Sequence, residues 1–130
     1  MNVFGFIVAI SLPASVLAAA PPSEFETDTV KTSQGDLEIT FIGHGTLMFR
    51  FGGKVIHVDP VGRYADYSKM PKADLILVTH EHGDHLDRRA IERIGKADTV
   101  LALTAACAER MGRGEVMKNG DVKTFQGLQV

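Results

Sequence analysis

The chain has 130 residues, 45% of them hydrophobic and 23% charged, with a formal net charge of −2. That composition fits one globular domain, or part of one, and excludes a disordered polar segment. Its basic residues are dispersed, with Arg88-Arg89 the only adjacent pair, which argues against an extended phosphate-binding surface and a specific nucleic-acid role.

Residues 1–20 read as a secretory signal. Val3 to Leu17 is nearly free of polar groups, and Val16-Leu17-Ala18 or Leu17-Ala18-Ala19 offers small residues where a signal peptidase cuts. The competing reading is an uncleaved membrane anchor, but the apolar run is shorter than the roughly 20 residues a spanning helix needs, and Pro13 interrupts it. Export would place the rest in the periplasm or outside the cell, an oxidising setting in which the single cysteine, Cys107, has no intrachain partner. Within Ala105-Ala106-Cys107-Ala108 it reads as a small buried residue.

Residues 21–28 form an exposed lead-in, and residues 29–130 a folded portion. A first strand is predicted from Thr29 to Ser33, turning through Gln34-Gly35-Asp36 into Leu37-Glu38-Ile39-Thr40-Phe41, whose strict alternation marks a half-buried strand. Thr46 to Phe51 and Lys54 to Asp59 flank Gly52-Gly53, a two-residue hairpin signal because both positions tolerate positive φ. The front of the domain is therefore an antiparallel meander.

The pattern changes at Asp74. Leu75-Ile76-Leu77-Val78 is a continuous apolar run, as in a strand covered on both faces. A short helix follows, capped by Asp87, stapled by Leu86 and Ile91, and ended at Gly95. Thr99 to Leu103 is another buried strand, so strand, helix and strand imply a right-handed parallel crossover. A helix from Ala105 to Met111 and a polar Gly-rich loop lead to strand-like residues from Asp121 onward. The last residues, Phe125 to Val130, read as an apolar alternation with no terminating turn.

Between the two crossover strands lies the chemistry. Thr79-His80-Glu81-His82-Gly83-Asp84-His85-Leu86-Asp87 places four metal-competent side chains within six residues at the end of a strand. His80 and His82 project to the same side of extended backbone, so both imidazoles can reach one ion, whereas Glu81 between them points away. Gly83 allows a sharp turn, after which Asp84 and His85 can aim at a second ion. Imidazole nitrogen and carboxylate oxygen suit zinc, manganese or ferrous iron, and the lack of thiolates argues against a closed structural zinc site. Open coordination positions imply bound water, whose pKa a metal lowers to about 7, so hydroxide becomes available for hydrolysis. Asp84 would both bind metal and orient, or take a proton from, that water.

Other residues are weighed against blander roles. Asp59 ends a strand and is expected to support the ligand loop from behind the metals. His44, in Gly43-His44-Gly45, could face the site in the same supporting role, but a structural or exposed loop histidine is the simpler expectation. His57, in mid-strand, is expected to be a satisfied structural histidine. Tyr64 and Tyr67 are expected to pack within their loop rather than shape a substrate entrance.

At His80, His82, Asp84 and His85 the chain resembles the metallo-β-lactamase superfamily and its H-x-H-x-D-H signature. Ile39 to Thr46, Val58-Asp59-Pro60 and Asp74 to His80 look like the branch that includes ascorbate-6-phosphate lactonases, and the resemblance runs from about Leu37 to Cys107. It implies an α/β (α+β) fold, the N-terminal half of an αββα sandwich with a mixed sheet and flanking helices. It also implies two divalent ions, zinc or alternatively manganese, and a small-molecule substrate. Members hydrolyse β-lactams, lactones, thioesters, phosphodiesters or RNA, so fold alone names no substrate. The expected activity is attack of a metal-bound hydroxide on an ester, lactone or phosphoester.

The resemblance implies further ligands downstream: a third histidine, a bridging aspartate and a last histidine. No histidine follows His85, and Asp87, Asp98 and Asp121 do not match the bridging aspartate. The chain is accordingly expected to be an N-terminal portion that alone binds metal weakly and turns over little substrate. The alternative expectation is a non-catalytic metal-binding or partner-binding module that keeps half of the site.

Overall fold

A computed structural model of the chain describes residues 24–130. The expected signal, residues 1–20, and the start of the lead-in lie outside the described residues. Strands β1 (Glu26–Thr32), β2 (Gly35–Gly43), β3 (Thr46–Phe51) and β4 (Lys54–Val58) form the predicted antiparallel meander. β1 begins three residues before the predicted Thr29, inside the expected lead-in, and is exposed along its whole length. It is an edge strand whose threonines and charges give no burial pattern to read. Gly52 and Gly53 both take positive φ, as the two-residue turn demands.

β5 (Leu75–Val78), β6 (Val100–Leu103) and the short β7 (Glu115–Val116) then pair in parallel beside β4, completing a seven-stranded mixed sheet in sequence order. Helix α1 (Arg88–Ile94) makes the β5–β6 crossover, and α2 (Ala105–Met111) follows β6. Asp87 caps α1 as the sequence predicts: its Oδ1 accepts from the backbone N–H of Arg89 and Ala90 at 2.9 and 3.2 Å. The same carboxylate reaches out of the helix, Oδ2 accepting from Gly62 N at 2.9 Å, and so ties α1 to the loop after β4. Asp87→Ala removes the cap and that tie together and is expected to cost about 2 kcal/mol, read as a lower urea midpoint with unchanged slope.

Strand register sorts the core into two faces. Met48, His57, Ile76 and Leu101 line up across β3 to β6 on one side. There Ile91 and Ile94 of α1 and Cys107 and Met111 of α2 share a buried cluster with Ile76 and Leu101, and Cys107 is fully buried, as expected. On the other side the row Ile39, Phe49, Ile56, Leu75 and Val100 is covered in part by Met117, Phe125, Leu128 and Val130. The apolar residues of the predicted β2 alternation belong to this second side, and the outermost of them, Phe41, is 44% exposed.

The end of the chain differs from its sequence reading. Thr124–Phe125 (β8) and Leu128–Gln129 (β9) form a hairpin closed by Gln126 and Gly127, both at positive φ. The predicted unbroken alternation is therefore a turn, hidden because glutamine is not a residue that announces left-handed backbone. Gln126 also anchors the hairpin to the turn before β6, its Nε2 donating to Asp98 O at 2.6 Å.

At the opposite end of the parallel strands from the histidines, Asp74 latches three strands. Its carboxylate accepts from Lys96 Nζ at 2.7 Å and from Val55 N at 2.8 Å, while its backbone bonds to Val55 and Val100. The Lys96 hydrogen bond first, and the Val55 N–H next, hold this carboxyl below the usual carboxylate range.

Candidate metal centre

The sheet delivers its functional side chains at the C-terminal ends of β4 and β5. Parallel pairing sets Val58 opposite Leu77, so Asp59, one residue past β4, lies beside Thr79, one residue past β5. Asp59 is 2% exposed and in left-handed backbone at φ 44, with its N–H bonded to Leu77 O at 2.9 Å and its carbonyl accepting from Thr46 Oγ1 at 2.7 Å. An aspartate tolerates that conformation better than most residues. Its carboxylate accepts three hydrogen bonds: from Thr79 N at 2.7 Å, from Thr79 Oγ1 at 2.6 Å and from His85 Nδ1 at 2.8 Å.

These bonds fix two tautomers. A carboxylate oxygen accepts from His85 Nδ1, so that nitrogen carries the proton and the Nε2 lone pair is free. Thr79 spends its single hydroxyl proton on Asp59, so it can only accept from His80 Nδ1 at 3.0 Å, which leaves His80 Nε2 free as well. Such orientation of imidazoles by a carboxylate behind them is how metal-binding histidines are held.

A tight turn brings the rest of the cluster together, with His85 N and Leu86 N both bonded to His82 O at 2.9 and 2.8 Å. The turn is fastened to α2, since Arg110 Nη1 donates to the Glu81 carbonyl at 2.8 Å. Ring centroids of His80 and His82 are 4.7 Å apart, and those of His80 and His85 3.9 Å. Asp84 Oδ2 lies 3.9 Å from His85 Nε2 and 3.2 Å from Nε2 of His44. Asp84's own backbone N–H lowers its carboxyl pKa most. The neighbouring His85, His44 and His82 lower it further, against an opposing desolvation.

The structure thus sets the rings of His80, His82 and His85 side by side, brings Asp84 up to His85 and adds His44. Ligand atoms of His44, Asp84 and His85 lie within 4.8 Å of one another, and His80 and His82 fall outside that group. Asp59 stands behind the cluster, buried, touching His85 and Thr79 rather than the open side. Thr79 had no role in the sequence reading; only the β4–β5 register reveals that it sits beside Asp59. Of the two loop tyrosines, Tyr67 is buried, its hydroxyl accepting from Val61 N at 3.2 Å, whereas Tyr64 stacks on His44 with centroids 6.0 Å apart. His57 lies 0% exposed on the same side of the sheet as Ile76, and only half of the expected satisfaction holds: Nε2 bonds to Pro71 O, but Nδ1 has no partner among the described residues.

The donor set fits a borderline divalent ion. It offers imidazole nitrogens with lone pairs directed by Asp59 and Thr79 and an exposed carboxylate, with the single thiol buried elsewhere in the core. Beside Thr79, at the ends of β5 and β6, a cavity of about 290 Å³ is lined by Leu77, Val78, Leu103, Thr104, Met117 and Asn119 among others. Crevices at strand carboxyl ends are where sheet proteins of this kind take ligands.

A mixed sheet with helices on one face carries histidines and an aspartate, candidate metal ligands, at its carboxyl edge. A family model for the beta-lactamase superfamily domain matches residues 38–130, and the chain belongs to that family. It is 32% identical to a UPF0173 metal-dependent hydrolase of Pelotomaculum thermopropionicum, over 72% of this chain and 44% of the relative. A second such protein, from Cupriavidus necator, is 34% identical over 85% of this chain and 47% of the relative. A crystal structure from Parabacteroides distasonis, also named as a metal-dependent hydrolase, superposes with a TM-score of 0.74 at 50% identity, covering 76% of this chain and 46% of that one. The expected α+β half of a metallo-β-lactamase fold is what the structure contains, and the chain spans less than half the length of these relatives.

Proposed function

We propose that the cluster is half of a dinuclear centre in a hydrolase acting on an ester, lactone or phosphoester, with zinc as the ion and manganese accepted by the same donors. The observation that carries this is the convergence of His80, His82, Asp84 and His85 with tautomers set by Asp59 and Thr79. When bound, divalent ions there would supply an acidified water and polarise the substrate's carbonyl or phosphoryl oxygen. His80 and His82 would hold one ion, and Asp84 and His85 the other. Asp84 is exposed enough to meet a water and, as the carboxylate, would orient it or take its proton. The substrate would be a small molecule, consistent with a chain whose basic residues are scattered. The apolar stretch from Val3 to Leu17 supports export to the periplasm or beyond. Among the described residues no helix is long and apolar enough to cross a membrane.

A second reading, a non-catalytic metal-binding module, rests on the compact donor group of His44, Asp84 and His85, which would hold an ion whether or not a substrate is turned over. Metal analysis and turnover on nitrophenyl esters, lactones and bis-nitrophenyl phosphate separate the two. The purified 130-residue chain is expected to take up divalent metal weakly and to hydrolyse one of these classes slowly, with Asp84→Asn abolishing turnover. Metal uptake with no turnover on any class would select the binding module. No metal uptake would end both readings.

A further inference from the structure

Beyond the four signature residues, we infer that His44 is itself a metal ligand, completing with Asp84 and His85 a three-donor site for one divalent cation. This rests on the metal-centre reading above and adds to it a donor from a separate loop, in place of the structural or supporting role weighed for this residue. The atoms already converge: Asp84 Oδ2 lies between His44 Nε2 at 3.2 Å and His85 Nε2 at 3.9 Å, and all three donors fall within 4.8 Å. An ion with bonds of about 2.0–2.2 Å sets its donors roughly 3 to 3.5 Å apart, so small ring rotations close the set.

The loop that carries His44 is shaped around this placement. His44 holds left-handed backbone at φ 53, uncommon for a residue with a side chain, between two glycines that are each pressed against the site. A Cβ on Gly45 would stand 3.0 Å from His85 Cε1, and one on Gly43 3.3 Å from the Tyr64 ring, at a φ of 151 that itself calls for glycine. The next residue, Thr46, is fully buried and donates to the Asp59 carbonyl at 2.7 Å, anchoring the loop to the residue that also orients His85. Tyr64 stacks on one side of the His44 ring, and His85 meets it edge-on at 5.1 Å. A surface histidine that merely paired with Asp84 would require none of these close approaches.

Cobalt(II) titration of the full 130-residue chain tests the assignment through visible absorption and the shifted N–H proton signals of cobalt-bound histidines. His44→Ala is expected to lose one such signal, alter the absorption bands and weaken binding at least roughly tenfold, with far-UV circular dichroism unchanged. If that variant does not fold, His44→Gln is read in the same way. Wild-type affinity and a full set of signals in the folded variant would overturn the assignment while leaving the centre intact, provided His85→Ala still abolishes binding. No cobalt bound by the unaltered chain would overturn the metal centre and the His44 assignment together.

Discussion

Asp59→Asn is expected to lower divalent-metal affinity by about 100-fold, at the upper end of what removal of a supporting carboxylate does, although residue 59 touches no metal in this arrangement. The argument is one of protons. Asp59 offers acceptors only, and three donors converge on it from Thr79 and His85. An asparagine supplies one acceptor oxygen and an NH2 group, which must then face a donor. The Thr79 backbone N–H that faces Oδ1 cannot become an acceptor, so the NH2 takes the place of Oδ2, which faces both His85 Nδ1 and the Thr79 hydroxyl. The imidazole is then driven to carry its proton on Nε2, where it blocks the metal. The hydroxyl is free to donate to His80 Nδ1, and His80 in turn loses its free Nε2. Asparagine also accepts left-handed backbone, so the φ of 44 is preserved and the loss is chemical rather than conformational. Competition against a chromophoric chelator measures the affinity, and binding within twofold of the unaltered chain would remove Asp59 from this role.

What the sequence revealed about this site follows from which contacts are local. His80, His82, Asp84 and His85 are legible as candidate ligands because side chains separated by one or two residues on extended or turning backbone stay close together wherever the sheet goes. The capping of α1 by Asp87 and the bounds of β3, β5 and α2 are legible for the same reason, since Gly52-Gly53, the run Leu75 to Val78 and the Thr104 and Gly112 caps act within a few residues. The pairing of Asp59 with Thr79 is not, because it exists only once β4 and β5 adopt one parallel register out of several that their apolar residues would allow. His44 reaches Asp84 through the left-handed turn between β2 and β3, where a bulge between Phe41 and Gly43 shifts the register. The two-residue turn at Gln126-Gly127 is hidden for a simpler reason, the lack of an asparagine or aspartate at its first position. The fold was therefore readable as a succession of elements, and the site as a ligand loop, but the shell around that loop belongs to tertiary register.

The stability of the metal-free chain is expected to fall by about 3 kcal/mol as pH drops from 7 to 4, because of one histidine far from the ligands. His57 is fully buried, Nε2 lying 3.1 Å from the Pro71 carbonyl and the ring meeting Tyr67 edge-on at 6.0 Å. A carbonyl can only accept, so Nε2 carries the proton and the Nδ1 lone pair is left without a partner. Protonating Nδ1 would place a cation in the core beside Tyr67. Burial pushes the pKa from 6.5 down to about 4, only partly opposed by the Pro71 carbonyl and reinforced by Arg50. Between those two values the unfolded chain binds the proton and the folded chain does not, so stability is fully present above pH 6.5 and is lost as pH falls to about 4. Urea unfolding of the unaltered chain and of His57→Gln, both with chelator present, isolates this residue from the other histidines. Glutamine keeps an N–H for Pro71 and cannot take a charge, so the stability gap between the two proteins should close on acidification and then favour the variant. A gap that stays constant from pH 7 to pH 4.5 would mean that His57 is not held neutral by its burial.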